Sequence, residues 1–302
     1  IKALEEGLVT YPEDLRLKQR LMKTLFARGQ AQDQQRALEI LTALEERLPQ
    51  DPELMRLEAM HILQAPTPQA LETARQKLEH VVQLEPTGVD AHLALIGIAM
   101  QQGRHEDARD SAIRALGSNP DNAVLLSARA GAELELGNIQ MAVQLARLVL
   151  EKDSTNSGAL GVLLDAALSS GNDSLLGEAT ALARPMLAAD PNKTEARDVV
   201  VTKAIKSKHP TLLKEARSLI ESAAATNPPD EKLLLSRARV LATMELPGAA
   251  IPDLEAYCQT EKGSGSVPAV VTLADLYRLS GQMNRAKQWI EQAEKLLKQS
   301  NQ

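Results

Sequence analysis

The side chains best suited to metal or acid–base chemistry are scattered along this chain. The five histidines are His61, His80, His92, His105 and His209. None stands three or four residues from another, so no helical turn can aim two imidazoles at one ion. His92 reads as a partly buried structural histidine. Cys258 is the only cysteine. It can form neither an internal disulfide nor a cysteine-based metal site. With no histidine near it in sequence, it reads as a small packing residue rather than a nucleophile. The carboxylate pairs Glu45 with Glu46, Glu133 with Glu135, and Asp107 with Asp110 read as solvated helix surface, not as acid–base partners. Gly263-Ser264-Gly265-Ser266 looks like a phosphate loop, but it lacks the following Lys-Ser/Thr and a preceding strand. A flexible connection that lets the last unit hinge is the expected role. These residues therefore point to no catalytic group, no metal site, no cofactor and no enzyme.

Composition narrows the classes further. Of 302 residues, 44% are hydrophobic, 25% charged and 2% aromatic, and the net charge is −6 from 34 Lys+Arg against 40 Asp+Glu. An excess of acid disfavours a broad nucleic-acid-binding face. No run of 18 apolar residues is present, so direct membrane insertion is not expected. The single cysteine leaves the compartment open between cytoplasm and periplasm. The chain opens Ile1-Lys2-Ala3 without Met or an apolar leader, which reads as a boundary inside a longer protein. Abundant Leu, Ala, Glu, Gln and Arg favour helix.

The elements that must position any site repeat along the chain. An alanine opens a helically spaced Ala/Leu run at Ala37, Ala74, Ala108, Ala142, Ala179, Ala216, Ala250 and Ala286, with intervals of 37, 34, 34, 37, 37, 34 and 36. Twelve residues after most of them comes a proline: Pro49, Pro86, Pro120, Pro191 and Pro228. Pro12 fits the same register upstream. Ser154 and Lys262 replace it in two units. Gly103, Gly137 and Gly281 lie five residues before the alanine, where a glycine can close a first helix. Asp51, Asp121, Asn122, Asn156, Asn192 and Asp230 are placed to cap the helix that follows.

Each unit thus reads as helix, turn, helix, stop. The units are 15–51, 52–88, 89–122, 123–156, 157–193, 194–230, 231–266 and 267–302, with 1–14 the second helix of a truncated preceding unit. Four of them carry three extra residues near Gln32–Arg36, Pro66–Ala70, Asp173–Leu176 and His209–Leu213. A lengthened turn is expected to absorb them.

This pattern resembles the tetratricopeptide repeat (TPR) family over essentially the whole chain. Leu273, Ala274, Tyr277, Gly281, Ala286, Ile290 and Ala293 carry it in the unit 267–297. Leu95, Gly103, Ala108, Ala112, Ala115 and Pro120 carry it in 89–120. The usual first-helix Trp is replaced by Met55, His92, Leu126, Leu160, Arg197, Leu234 or Val270. Another helical-hairpin repeat such as HEAT is the alternative. The resemblance implies an all-α, right-handed α–α superhelix, with residues 1–302 forming a single solenoid domain. It also implies that the first helices line a concave face that holds a protein or peptide segment.

The register nominates the residues of that face: Lys23, Arg56, Asp90, Gly97, Met100, Gly131, Leu134, Glu135, Gly161, Asp165, Leu168, Glu195, Asp198, Arg239 and Asp275. Two features stand out. Gly97, Gly131 and Gly161 each cost a helix about 1 kcal/mol relative to Ala. Either they let a ligand approach the backbone or they allow close helix packing. Charge also passes from basic (Lys23, Arg56) to acidic (Asp90, Glu135, Asp165, Glu195, Asp198), which would orient a partner of complementary polarity or is a solvated surface. On that reading, charge reversal at Asp165 or Asp198 weakens partner capture. No first helix contains Asn, which argues against a clamp for a C-terminal carboxylate.

The expected function is a non-enzymatic protein-interaction scaffold. Alternatives are a self-assembling structural module, with homo-oligomer contacts through terminal helices such as the amphipathic 285–298 stretch, or the interaction arm of a larger enzyme or bacterial envelope-assembly protein. In 285–298, Ala286, Trp289, Ile290, Ala293, Leu296 and Leu297 are expected to face the core.

Overall fold

The computed structural model describes residues 1–64, 67–189, 194–226 and 230–300. The sequence signals at Pro66, Pro191, Asn192 and Pro228, and the unit ends Lys193 and Gln302, lie outside the described residues. Helices succeed one another with no strand among the described residues: α1 (Lys2–Thr10), α2 (Leu15–Arg28), α3 (Ala31–Glu45), α4 (Pro52–Ile62), α5 (Pro68–Leu84), α6 (Val89–Gln101), α7 (His105–Ser118), α8 (Ala123–Glu135), α9 (Ile139–Lys152), α10 (Ser157–Ser170), α11 (Asp173–Ala189), α12 (Glu195–Ser207), α13 (Pro210–Thr226), α14 (Glu231–Thr243), α15 (Ile251–Cys258), α16 (Glu261–Ser264), α17 (Val267–Leu279) and α18 (Met283–Ser300). A 3-10 turn at Pro247–Ala249 precedes α15.

Local chemistry sets these boundaries. Asp14, Asp51, Asn122, Asn156 and Asp230 accept bonds of 2.8–3.1 Å from backbone N–H groups two or three residues ahead. Each satisfies donors that a helix start leaves orphaned. Asp121 stands one residue before the cap of its helix, which is Asn122. Gly103, Gly137 and Gly281 adopt positive φ of 70°, 80° and 75°, and Gly29 and Gly171 do the same after α2 and α10. In the next two turns the left-handed position is held by Lys208 and Glu245.

The three extra residues do not lengthen the turns. They add nearly one turn to the start of a second helix: α5, α11 and α13 have 17 residues, whereas α7 and α9 have 14. The repeat alanine accordingly falls seventh in α3, α5, α11 and α13 and fourth in α7, α9 and α18.

The helices gather into two compact units, Ile1–Leu136 and Gly137–Gln302. In the first, Leu21, Met22 and Leu25 of α2 pack with Leu41 and Leu44 of α3. Leu71, Leu78 and Val81 of α5 pack with Leu95 and Ile98 of α6. In the second, Leu234 and Leu241 of α14 meet Leu254 and Cys258 of α15 and Leu273 and Tyr277 of α17. Burying one such aliphatic side chain contributes about 1.5–3 kcal/mol. Every repeat alanine is buried, Ala250 being the most exposed at 3%. The slots where TPR units often carry Trp are filled here by buried Leu126, Leu160, Leu234 and Val270, together with His92 and Arg197.

Two expectations are corrected. Gly263–Ser266 is not a loose connection. Gly263 is buried in α16, which Thr260 caps through Gly263 N–H at 3.0 Å. Ser266 caps α17 through Ala269 N–H and also donates to Glu231. In α18, Ala286 and Ala293 face the core, but Ile290 and Leu297 are exposed.

Candidate functional site

The nominated residues fall on first helices, and each unit is described by itself. In unit 1 they lie on α2, α4, α6 and α8. Lys23 reaches Glu53 Oε1 at 2.8 Å, Arg56 reaches the same oxygen at 3.2 Å, and Arg56 meets Asp90 at 3.6 Å. Three nominated residues are therefore joined into one ladder by Glu53, a residue that was not nominated. The hydrogen bond from Lys23 holds the Glu53 carboxyl below its usual range, with Arg56 adding to the effect. Beside the ladder, the Phe26 and His61 rings of adjacent first helices meet at 5.8 Å between centroids.

Gly97 and Gly131 occupy the interiors of α6 and α8. A Cβ built at either meets nothing within 4 Å, and neither has a positive φ. Close helix packing is thus excluded as their reason. Gly117 on α7 and Gly177 on α11 are equally open. The first-helix pair is set apart by its neighbours: Met100 and Leu134 are half-buried, and Met60 and Val124 are 45% and 53% exposed. Glu135 is exposed at the end of α8.

In unit 2 the acids pair with lysines on the next first helix. Asp165 of α10 receives Lys203 of α12 at 2.5 Å, and Asp198 of α12 receives Lys232 of α14 at 2.6 Å. Thr194 also donates to Asp198 at 3.1 Å. Asp275 pairs within α17 to Arg278 at 3.2 Å. Gly161 differs from its counterparts in unit 1, because a Cβ there would touch Val199 Cγ1 at 3.6 Å. Leu168 is half-buried, while Glu195 and Arg239 are exposed.

The expected passage from basic to acidic surface is therefore largely compensated within each unit. Lys23 and Arg56 face Glu53 and Asp90, while Asp165 and Asp198 face Lys203 and Lys232. Glu53 and Lys203 were the partners not foreseen, whereas Arg56 and Asp90 were both nominated. The missing signal was a spacing of about one repeat: Lys23 to Glu53, Asp165 to Lys203, Asp198 to Lys232.

The chemically reactive side chains stay structural. His92 Nε2–H donates to the Pro86 carbonyl at 3.0 Å, and the ring is 2% exposed. Burial, with Glu231 and Glu255 nearby, pushes the Cys258 thiol up to about 11, which disfavours the reactive thiolate at neutral pH. Among the described residues no group of three or more His, Cys, Asp or Glu could hold a metal ion. No described helix is long and apolar enough to cross a membrane.

The second helices carry their own ladder. Arg147 of α9 grips Glu178 of α11 with two bonds of 2.9 and 2.6 Å, and Arg184 of α11 grips Glu215 of α13 at 2.9 and 3.1 Å. A shallow cavity of about 380 Å³ between α9 and α11 is bordered by Gln140, Gln144, Arg147, Asn172, Ser174 and Glu178.

Tetratricopeptide repeat models match residues 69–132 and 267–296. Yeast Tom70 is similar in structure at 17% identity with a TM-score of 0.57, over 88% of this chain and 57% of that one. MamA (residues 41 to the end) from Desulfovibrio magneticus RS-1 is similar at 12% identity with a TM-score of 0.51, over 59% of this chain and 97% of its own. A tetratricopeptide repeat protein from Parabacteroides merdae matches at 18% identity with a TM-score of 0.46, over 81% and 93%. No curated protein matches. At these identities the structural likeness speaks to fold alone. The sequence matches and the tandem helix pairs agree, and the chain is a tetratricopeptide repeat protein with an all-α helix–turn–helix repeat fold.

Proposed function

We propose that the chain is a protein-interaction scaffold that holds a protein or peptide segment on the first-helix face of unit 1, across α4, α6 and α8. A role in protein interaction is general to this repeat family. The location rests on one observation: Gly97 and Gly131 leave helix backbone bare, and among the described residues nothing occupies the space. A helical glycine costs about 1 kcal/mol relative to alanine. Neither packing nor backbone conformation explains that cost here. Approach of another chain to the backbone does, and the apolar Met60, Met100, Val124 and Leu134 would flank it. The nominated acids of unit 2, engaged by Lys203 and Lys232, support the ladder more than a ligand.

Filling the cradle tests this reading. Gly97→Leu with Gly131→Leu would put side chains into open space, leaving helicity and thermal stability intact. Affinity for the segment identified by capture from the native source and peptide mapping should fall at least tenfold. Asp165→Lys, the contrasting change, should lower stability with little effect on capture. Undiminished affinity in the folded double variant would refute the assignment.

A further inference from the structure

On the second-helix side of unit 1, a cavity of about 110 Å³ lies between α5, α6 and α7. Three guanidinium groups, Arg75, Arg104 and Arg114, line it with Glu79, Asp107 and Ser111. Water occupies about 30 Å³ in the liquid, so the space suits a small polyatomic ion and excludes a nucleotide. Its back wall is apolar, from buried Leu95 and Ala99.

The donors are unequally engaged. Arg75 donates to Glu72 from Nε at 2.9 Å and from Nη2 at 2.5 Å, and to Glu79 from Nη1 at 2.5 Å, so each of its nitrogens is engaged. Arg104 donates from Nε to Asp107 at 2.6 Å and from Nη1 to Gln102 at 3.3 Å, and its Nη2 meets Asp107 at 2.5 Å. Arg114 is different. It donates from Nη2 to the Ser111 hydroxyl at 2.9 Å, and among the described residues it meets no carboxylate. Ser111 is 6% exposed, and its own proton has no acceptor among the described residues. The nine-tenths-buried Ser111 hydroxyl and the exposed Arg114 guanidinium, with its unspent Nε and Nη1 donors, therefore border a space also lined by Glu79 and Asp107, neither of which they bond. A buried hydroxyl left without an acceptor is costly, which applies to Ser111, and charge-assisted bonds to guanidinium are the strong ones.

We propose that this cavity binds a tetrahedral oxyanion of the phosphate class, anchored by Arg114 and Ser111, with the engaged guanidinium groups of Arg104 and Arg75 bordering it. The local field agrees. Glu72, beside Arg75, is held down to about 2 by the Arg75 hydrogen bond, then by Gln76, with the charge of Arg104 contributing. Glu79 and Asp107 are each already bonded by an arginine, and neither reaches Arg114. The site is independent of the first-helix face and stands or falls without it.

The test is a titration of the protein with inorganic phosphate, read by 31P NMR line broadening and by melting temperature, against sodium chloride at matched ionic strength. Saturable broadening and a rise in melting temperature beyond the chloride control are expected. Folded Arg114→Gln should bind at least tenfold more weakly, and Ser111→Ala should weaken binding less. Failure of phosphate to exceed chloride overturns the site, as does equal binding by Arg114→Gln. A phosphoserine peptide distinguishes the source. Tighter binding than inorganic phosphate points to a partner's phosphate, and equal or weaker binding to the free ion. Either result keeps the oxyanion site.

Discussion

Gly263 in α16 and the pair Gly97 and Gly131 in α6 and α8 are one residue type under opposite constraints. A Cβ on Gly263 would lie 1.9 Å from the carbonyl oxygen of Tyr257. On Gly97 or Gly131 it would meet nothing within 4 Å. The chain itself accounts for the first glycine, because α16 folds directly onto the end of α15 and no larger residue fits. Nothing among the described residues accounts for the other two. Glycine in a repeat protein thus marks either a joint or a vacancy. The surrounding atoms, and not the residue type, tell which.

The strongest challenge to this contrast is Gly263→Ala. The new methyl group collides with backbone that cannot rotate away, so a loss of about 3 kcal/mol is expected. Urea unfolding should show it. A loss below about 0.5 kcal/mol would mean that the joint is looser than the geometry says. Gly97→Ala and Gly131→Ala should act in the opposite direction, each gaining up to about 1 kcal/mol from helix propensity. If either alanine destabilises, the vacancy is not a vacancy. The smallest effect concerns a carboxylate set by its neighbours without any glycine. Burial raises Glu45 to about 7, helped by its hydrogen bond with Glu58 and the charge of Glu58, while Lys77 opposes. Because the folded value lies above the ordinary 4.5, the stability linked to this proton is fully present below about 4.5 and is lost as pH rises through about 7. Glu45→Gln should flatten that part of the pH–stability profile and leave the rest unchanged. An unaltered profile would sever Glu45 from Glu58.

Periodicity and capping were legible before any coordinates. Asp51, Asn122, Asn156 and Asp230 cap as their positions demand, and the alanine register marks the core in every unit. The units 89–120 and 267–297, whose residues match the repeat pattern most fully, overlap the stretches 69–132 and 267–296 that the family models match. Local signals of this kind survive because a cap or a left-handed glycine depends only on adjacent residues. Three things were hidden. The destination of the extra residues was one, since both a longer turn and a longer helix preserve the alanine register. The ion ladders were another, because a charge on one first helix finds its partner 30–38 residues away. Gly263 was the third: Gly-Ser-Gly-Ser has the composition of a linker, and only the proximity of Tyr257 reveals a close-packed joint.

The unequal helices have a consequence for recognition. An array of identical units offers the same surface at every step, so an elongated partner could bind one unit too early or too late with little penalty. Here α5, α11 and α13 carry 17 residues, whereas α7 and α9 carry 14. The 110 Å³ and 380 Å³ cavities both fall between a long helix and a short one. A shift by one unit from α5 to α7, or from α9 to α11, would set a ligand against a helix of another length. Variation in repeat length thereby marks the steps at which neighbouring units differ and would penalise a partner that slid across them.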